Sequence, residues 1–171
     1  MMTPIVVMGA TGSGKTTIGM LLARRLGVPF VDGDDYHDPS SIARMQRGEP
    51  LDDEVRRPWL DRLNQVVRAH EHTGLVLACS ALTDAYRRRL MRGVDGVRFV
   101  FLRADGALLR ERLAARHGHF AGSALVPSQL ATLEPPHDGI TVDAASTPDH
   151  IVEEIVEALR RPSPGYDSPS H

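Results

Sequence analysis

The most constraining feature of this sequence is a glycine-rich loop between a short apolar run and a helical pattern. Residues 5–8 are apolar throughout, residues 9–16 read Gly-Ala-Thr-Gly-Ser-Gly-Lys-Thr, and apolar residues then recur at helical spacing up to Leu26. The loop matches the phosphate-binding pattern Gly-x4-Gly-Lys-Ser/Thr. Its glycines let backbone N–H groups turn inward around an anion, and the following helix presents its positive end to the same anion. The sequence therefore predicts a strand, a phosphate-binding loop and a helix in succession.

Two side chains of this loop carry specific chemistry. Lys15 supplies a mobile charge that can reach the β- and γ-phosphates of a nucleotide, and Thr16 offers a hydroxyl to Mg²⁺. Lys15 is the only lysine among the twenty cationic residues, so a chance match of the pattern is improbable. We expect ATP to be bound by Gly9, Ala10, Thr11, Gly12, Ser13, Gly14, Lys15, Thr16 and Thr17.

Apolar runs and helical patterns alternate along the rest of the chain. Strands are predicted at residues 5–8, 30–31, 75–79, 97–102 and 140–143, with helical patterns between them. This alternation favours parallel pairing through right-handed crossovers, so we predict an α/β fold of the P-loop NTPase type, a doubly wound sandwich with a five-stranded parallel sheet. We expect one domain over residues 1–161, a flap of small residues at 118–127, and a disordered Pro/Ser-rich tail at 162–171.

Composition excludes several classes of protein. Twenty cationic against twenty-two acidic residues leave a charge of −2, without the basic excess of a nucleic-acid binder. No apolar run approaches the roughly 20 residues that span a bilayer. The single Cys79 cannot form an internal disulfide, and the first residues lack a basic leader. We therefore expect a cytoplasmic protein that binds neither nucleic acid nor membranes.

Asparagine and lysine usage narrows the class of nucleotide-binding protein. A GTPase carries an Asn-Lys-x-Asp motif that reads the base, but the only asparagine, Asn64, precedes Gln65. ATPases of the ABC and AAA types need a longer chain and further signature segments. A short chain with a phosphate loop and a small-residue flap fits the small-molecule and nucleoside-monophosphate kinases.

Asp32 and Asp34 follow the second predicted strand, at the edge where ligands of open α/β sheets bind. Two residues apart on an extended chain, both carboxylates face one side. We expect Asp32, with Thr16, to hold Mg²⁺ through water, and Asp34 to accept a proton from a substrate hydroxyl. Asp-Gly-Asp-Asp is also ordinary turn chemistry, which is the alternative interpretation.

Arg112 and Arg116 lie four residues apart on one predicted helix, just before the flap. Arginines in that position would neutralise charge on the phosphoryl group during its transfer, when the flap closes. We therefore predict a catalytic role for Arg112 and Arg116, together with Lys15 and Asp34. The alternative is a solvated helical face that includes Glu111.

Several blocks of the chain together resemble the gluconate kinases (gluconokinases). These blocks span about residues 5–160 and comprise the phosphate loop, Asp32-Gly33-Asp34-Asp35-Tyr36-His37, Gly48-Glu49-Pro50-Leu51, Pro58-Trp59-Leu60, Ala78-Cys79-Ser80-Ala81-Leu82, Tyr86-Arg87, Gly118-His119-Phe120 and Ser128-Gln129. The resemblance implies ATP-dependent phosphorylation of D-gluconate to 6-phospho-D-gluconate, feeding the pentose phosphate pathway. It also implies a shikimate-kinase-like sheet, a homodimer, and an acceptor site formed by Asp34, His37, Arg56, Ser80, Arg87 and His119.

Three positions depart from the family pattern. Arg44 stands where a lysine is usual, Val55 removes a carboxylate from the acceptor side, and Thr83 replaces a frequent lysine. Residue chemistry alone predicts phosphotransfer from ATP to a small polar acceptor, and the acceptor's name comes from the resemblance. Shikimate kinase, adenylylsulfate kinase and a nucleotide-binding regulator without turnover remain the alternatives.

Overall fold

The computed structural model describes residues 2–116 and 123–162. Within these residues five parallel strands form one sheet in the order β2-β3-β1-β4-β5. The strands are β1 (Met2–Met8), β2 (Phe30–Asp32), β3 (Thr73–Ala78), β4 (Arg98–Arg103) and β5 (Ile140–Asp143). This arrangement confirms the predicted doubly wound α/β fold.

The helices occupy the segments between and after the strands. They are α1 (Lys15–Leu26), α2 (Pro39–Gln46), α3 (Asp53–Ala69), α4 (Asp84–Leu90), α5 (Gly106–Ala115), α6 (Val126–Thr132) and α7 (Pro148–Arg160). Asp38, Asp52 and Asp105 begin α2, α3 and α5, because each carboxylate accepts a backbone N–H from the first helical turn. A carboxylate at a helix N-terminus also interacts favourably with the helix dipole.

The core consists of two apolar layers, one on each face of the sheet. Side chains of β1 alternate between them: Ile5 and Val7 pack on one face with α1 and α7, and Val6 and Met8 pack on the other with α3. Parallel sheets are covered on both faces in this way, which explains the nearly continuous apolar run of β1.

Helix α6 was not predicted from the sequence. Its buried Val126 packs against Ala10, Leu109 and Leu113, so the helix is stabilised by tertiary contacts with the phosphate loop and α5. The predicted flap at 118–127 lies partly outside the described residues, and its last two residues begin α6. Residues 163–171 of the predicted tail also lie outside them. No helix in the described ranges is long and apolar enough to cross a bilayer.

Strand register brings the functional loops to one edge of the sheet. Val7 and Asp32 both pair with Ala78, so β1, β2 and β3 end side by side and continue into the loops that carry the predicted site. Gly33 begins one of these loops and passes close to the backbone of β3. A Cβ at this position would lie 2.7 Å from the Ala78 carbonyl oxygen. The phosphate loop (residues 9–16), the acidic turn (residues 33–36) and the Ser80 loop (residues 79–83) therefore meet at the carboxyl edge of the sheet.

Candidate active site

The phosphate loop has a backbone that only glycine adopts readily at two positions. Gly12 has a φ of 84°, and a Cβ there would lie 3.0 Å from the Leu109 carbonyl oxygen. Gly14 has a φ of 100° at the residue that precedes α1. These conformations curl the loop over the N-terminus of α1, where backbone N–H groups and the helix dipole favour an anion.

Lys15 is held by its own loop. Its Nζ donates to the carbonyl oxygens of Gly9 and Ala10, at 3.0 and 3.1 Å. Burial lowers the pKa of this ammonium, and the negative charge of Asp34 opposes that shift. The side chain thus carries a poorly solvated donor group to the place where phosphate oxygens would lie.

Asp32 connects the phosphate loop to the acidic turn. Its Oδ2 accepts a hydrogen bond from the Thr16 hydroxyl at 3.0 Å, and its Oδ1 accepts one from the backbone N–H of Asp34 at 3.0 Å. The predicted metal-binding pair is therefore brought together. The chemistry of the pair fits Mg²⁺, which prefers oxygen ligands and completes its octahedron with phosphate and water oxygens.

Asp34 lies on a 3-10 turn, Gly33–Tyr36, that opens into a cleft. Its side chain is 78% exposed, and partial desolvation by the surrounding protein raises the pKa of the carboxyl group. The positive charge of Lys15 opposes this shift, and the charge of Asp32 adds to it. A carboxylate with a raised pKa is a better base, as proton abstraction requires.

The turn that carries Asp34 is held in place by α3, which packs on the face of the sheet opposite to α1. Trp59 of α3 is buried and donates its indole N–H to the Gly33 carbonyl oxygen at 2.7 Å. The His37 ring stacks on Trp59 with centroids 4.1 Å apart and an interplanar angle of 15°. Trp59 thus holds both ends of the acidic turn.

A cleft of about 670 Å³ opens beside the phosphate loop and the acidic turn. Four of the six predicted acceptor residues line it: Asp34, His37, Arg56 and Ser80. Sequence analysis did not assign several other residues of its wall to the site, namely Ile42, Met45, Gln46, Leu51, Trp59, Leu125 and Gln129. Leu51, Trp59 and Gln129 entered it only within the blocks that resemble the gluconate kinases. Helical spacing in α2 places Ile42, Met45 and Gln46 on one face, which was the available signal for those three.

Arg56 presents a positive charge to this cleft. Its Nε donates to the Leu51 carbonyl oxygen at 3.0 Å, and its guanidinium lies over the Tyr86 ring, 5.2 Å from the centroid. The Tyr86 hydroxyl in turn donates to the Asp53 carboxylate. This chain of contacts orients Arg56, and among the described residues no hydrogen bond occupies its two terminal nitrogens, which suit an anionic ligand.

Arg87 lies behind the cleft and does not line it. Its side chain is buried, and Nη1 donates to the Ala81 carbonyl oxygen at 2.8 Å. Ala81 has a φ of 43°, in the left-handed region, directly after Ser80. Arg87 therefore supports the loop that presents Ser80. The structure does not place its guanidinium in the cleft, and the predicted contact of Arg87 with the acceptor remains a prediction.

The remaining predicted residues occupy distinct positions. Arg112 bridges the phosphate loop and the segment after β5, because Nη1 donates to the Ser13 carbonyl oxygen at 2.9 Å and Nη2 to that of Ala144. Arg116 lines a small pocket of about 70 Å³ together with Lys15, Thr16, Asp32 and Asp34. His119 lies outside the described residues. Thr83, one of the departures from the family pattern, caps α4 by accepting the Tyr86 N–H at 3.2 Å.

A second cleft of about 310 Å³ lies on the other side of the phosphate loop. Its wall combines loop and α1 residues with residues at the end of α5 and with the chain after β5 up to the start of α7. These residues are Arg112, Ala115, Arg116, Ala144, Ser146, Pro148 and Ile151. The sequence analysis did not identify the part of this wall that follows β5. Its position after a strand, at the carboxyl edge, was the signal that could have found it.

The chain is similar to known kinases in both sequence and structure. The shikimate kinase family model matches residues 11–160. A gluconokinase of Gluconobacter oxydans is 44% identical over 160 residues, which cover 89% of this chain and 88% of that protein. The crystal structure of a gluconokinase from Sinorhizobium meliloti has a TM-score of 0.83 and 40% identity, covering 92% of this chain and 91% of the other. A sugar kinase from Janibacter has a TM-score of 0.87 and 38% identity, covering 93% of this chain and 95% of the other.

His37 makes the stability of this site dependent on pH. Its side chain is 4% exposed, and burial, with Arg56 and Arg62, lowers its pKa to about 4 from an ordinary 6.5. Between these values the unfolded chain binds the proton and the folded chain does not, so stability falls as pH is lowered from 6.5 to 4. We expect His37 to contribute a loss of up to about 3 kcal/mol.

The measurement is urea unfolding from pH 7 to pH 4 for the wild type and His37→Phe, which retains an aromatic ring against Trp59. The variant should lose part of the acid destabilisation, and exposed His72→Phe serves as the control. Identical pH profiles for the wild type and His37→Phe would show that His37 is not buried as a neutral group.

Proposed function

Because the chain belongs to the gluconokinase family, we propose that it transfers the γ-phosphoryl group of ATP to D-gluconate, giving 6-phospho-D-gluconate. The observation that carries this proposal is the cleft of about 670 Å³ that opens directly on Lys15 and Asp34. The charge of Lys15 and the carboxylate of Asp34 thus face the cavity in which gluconate would bind. We further propose a cytoplasmic homodimer whose product feeds the pentose phosphate pathway.

The nucleotide would lie along the phosphate loop. Backbone N–H groups of residues 9–17 and the Lys15 ammonium would bind its phosphates, and the 310 Å³ cleft is of a size for its base. Thr16 and Asp32 would hold Mg²⁺, which when bound neutralises charge on the transferring group. The Arg116 side chain, beside the same small pocket, adds positive charge there.

The acceptor cleft offers groups that suit a polyhydroxy acid. Arg56 provides a cationic fork for a carboxylate, and Ser80 provides a hydroxyl that both donates and accepts. His37 is neutral near pH 7, so its ring nitrogens can also bond hydroxyl groups. This combination supports a small acceptor with one anionic end and several hydroxyls.

The chemical step requires little covalent participation by the protein. Asp34 accepts the proton of the attacking hydroxyl, while Lys15 and Arg116 stabilise charge on the phosphoryl group. Phosphoryl transfer depends chiefly on positioning and charge. The contacts of the acidic turn with Asp32 and Trp59 supply that positioning for Asp34.

An acceptor panel tests the proposed function. With ATP and Mg²⁺ the purified protein should phosphorylate D-gluconate, and phosphoryl transfer to shikimate and adenylylsulfate should be at least about 10³-fold slower, because buried polar groups left unpaired oppose the wrong acceptor. ADP release measured with each acceptor decides the question. Preference for another acceptor would reassign the substrate, and binding of ATP without transfer to any acceptor would indicate a regulator.

Substitution of Lys15 tests the charge on the donor side. Lys15→Ala should lower kcat about 10²-fold or more, since a preorganised charge on the transferring group is lost. Lys15→Arg should also fail, because a guanidinium is larger than the ammonium that the loop encloses at the Gly9 and Ala10 carbonyl oxygens. Steady-state kinetics give the answer, and near-normal turnover of Lys15→Arg would contradict this role of the loop.

Substitution of Asp34 tests the base. Asp34→Asn keeps size but removes basicity, so kcat with gluconate should fall about 10² to 10⁴-fold while ATP affinity stays within a few-fold. Asp32→Asn should instead raise the Mg²⁺ concentration needed for half-maximal rate. Asp138→Asn, at an exposed position away from the cleft, is the matched control. If Asp34→Asn turns over normally, Asp34 is not the base.

A further inference from the structure

Gln129 contacts the phosphate loop and also lines the acceptor cleft, and the proposed function gives it no role. The backbone N–H of Thr11 donates to the Oε1 atom of Gln129 at 2.6 Å, across 118 residues of sequence. Because a backbone N–H can only donate, its partner must be the amide oxygen of Gln129. The Nε2 group, with its two donors, is therefore directed away from the loop.

Gln129 is held firmly in this position. It lies within α6, whose Val126 and Leu130 pack against Ala10 of the phosphate loop and against α5. Beyond the end of α6, the Glu134 N–H donates to the Leu82 carbonyl oxygen at 2.8 Å, which ties the segment to the Ser80 loop. Helix α6 thus positions Gln129 through contacts with the phosphate loop, with α5 and with the Ser80 loop.

The residues that line the cavities indicate which ligand Gln129 would contact. Gln129 and Thr11 both line the acceptor cleft, together with Lys15, Asp34 and Ser80. Gln129 does not line the small pocket formed by Lys15, Thr16, Asp32 and Arg116, where phosphate oxygens and the metal would lie. Within the described residues, no protein group accepts a hydrogen bond from Nε2.

We propose that Gln129 joins acceptor binding to the phosphate loop: Oε1 holds the Thr11 end of the loop, and Nε2 donates a hydrogen bond to an acceptor oxygen. This inference rests on the proposed function, since the acceptor is a polyhydroxy acid. Both halves of one planar amide are used, so the acceptor is fixed relative to the loop that carries the donor phosphates. Such positioning supplies much of the rate of phosphoryl transfer.

Two substitutions separate the halves of this role. Gln129→Glu retains an oxygen for the Thr11 N–H but replaces the donors by a negative charge that faces an anionic acceptor. The KM for gluconate should rise about tenfold or more, with the KM for ATP within about twofold, because a donor to the acceptor is replaced by repulsion. Gln129→Met removes both functions, so hydrogen exchange of the Thr11 amide should also become faster.

The experiment combines steady-state kinetics with amide exchange followed by NMR in the ligand-free protein. Gln65→Glu, the same substitution at an exposed position of α3, is the matched control, and thermal melting confirms that each variant is folded. Gluconate kinetics of Gln129→Glu equal to those of Gln65→Glu would overturn the acceptor contact. Unchanged Thr11 exchange in Gln129→Met would overturn the hold on the loop.

The same data distinguish this proposal from the proposed function. If the wild type does not phosphorylate gluconate, the proposed function is wrong and the acceptor contact falls with it. The hold on the loop is then still decided by Thr11 exchange, because that measurement needs neither substrate nor turnover. A rise in gluconate KM for Gln129→Glu with normal Thr11 exchange supports both halves.

Discussion

The path of the backbone from β1 into the phosphate loop is the constraint on which the rest of this structure depends. β1 lies in the middle of the sheet, paired with β3 and β4, and its last three residues are fully buried. The loop that follows is held from three sides: Arg112 bonds the Ser13 carbonyl oxygen, Gln129 bonds the Thr11 N–H, and the Ser80 carbonyl oxygen accepts the Gly9 N–H at 3.4 Å. A site that is organised before its ligand arrives does not spend binding energy on ordering itself.

The acceptor side depends on a second constraint, which comes from the opposite layer of the fold. The acidic turn is short and open to solvent, and its position rests on the buried Trp59 of α3 through Gly33 and His37. The same helix contributes Arg56, oriented by Tyr86 at the start of α4. Helix α3 thus carries Arg56 and, through Trp59, holds the turn that carries Asp34, so it fixes the position of these two side chains relative to each other.

The sequence predicted those parts of the site whose signals are local. The strand, the glycine-rich loop and the helix are contiguous, and Asp32 and Asp34 follow a strand, so their meeting at one edge could be inferred. Contacts between distant segments left no such signal, as the Gln129 contact with Thr11 across 118 residues illustrates. Three consecutive arginines follow Tyr86, yet only Arg87 is buried, because its position on α4 faces Ala81. Burial of one arginine in such a run is decided by the packing of the helix, which composition does not reveal.

Lys15, the single lysine of the chain, and Arg112 both contact carbonyl oxygens of the phosphate loop or its surroundings, but they suit different tasks. Arg112 makes a fixed bridge between two carbonyl oxygens, for which the planar fork of a guanidinium is suited. In the proposed function Lys15 would instead exchange partners, leaving the Gly9 and Ala10 carbonyl oxygens for phosphate oxygens as the nucleotide arrives. A compact ammonium on a flexible stem can turn its three donors from one set of oxygens to the other without moving the loop. Burial that lowers the pKa of Lys15 also removes screening water, so its attraction for phosphate is stronger there than at the surface. Arg112 and Lys15 thus use positive charge at the same loop in two ways, one as a fixed bridge and the other as a donor group that can change partners.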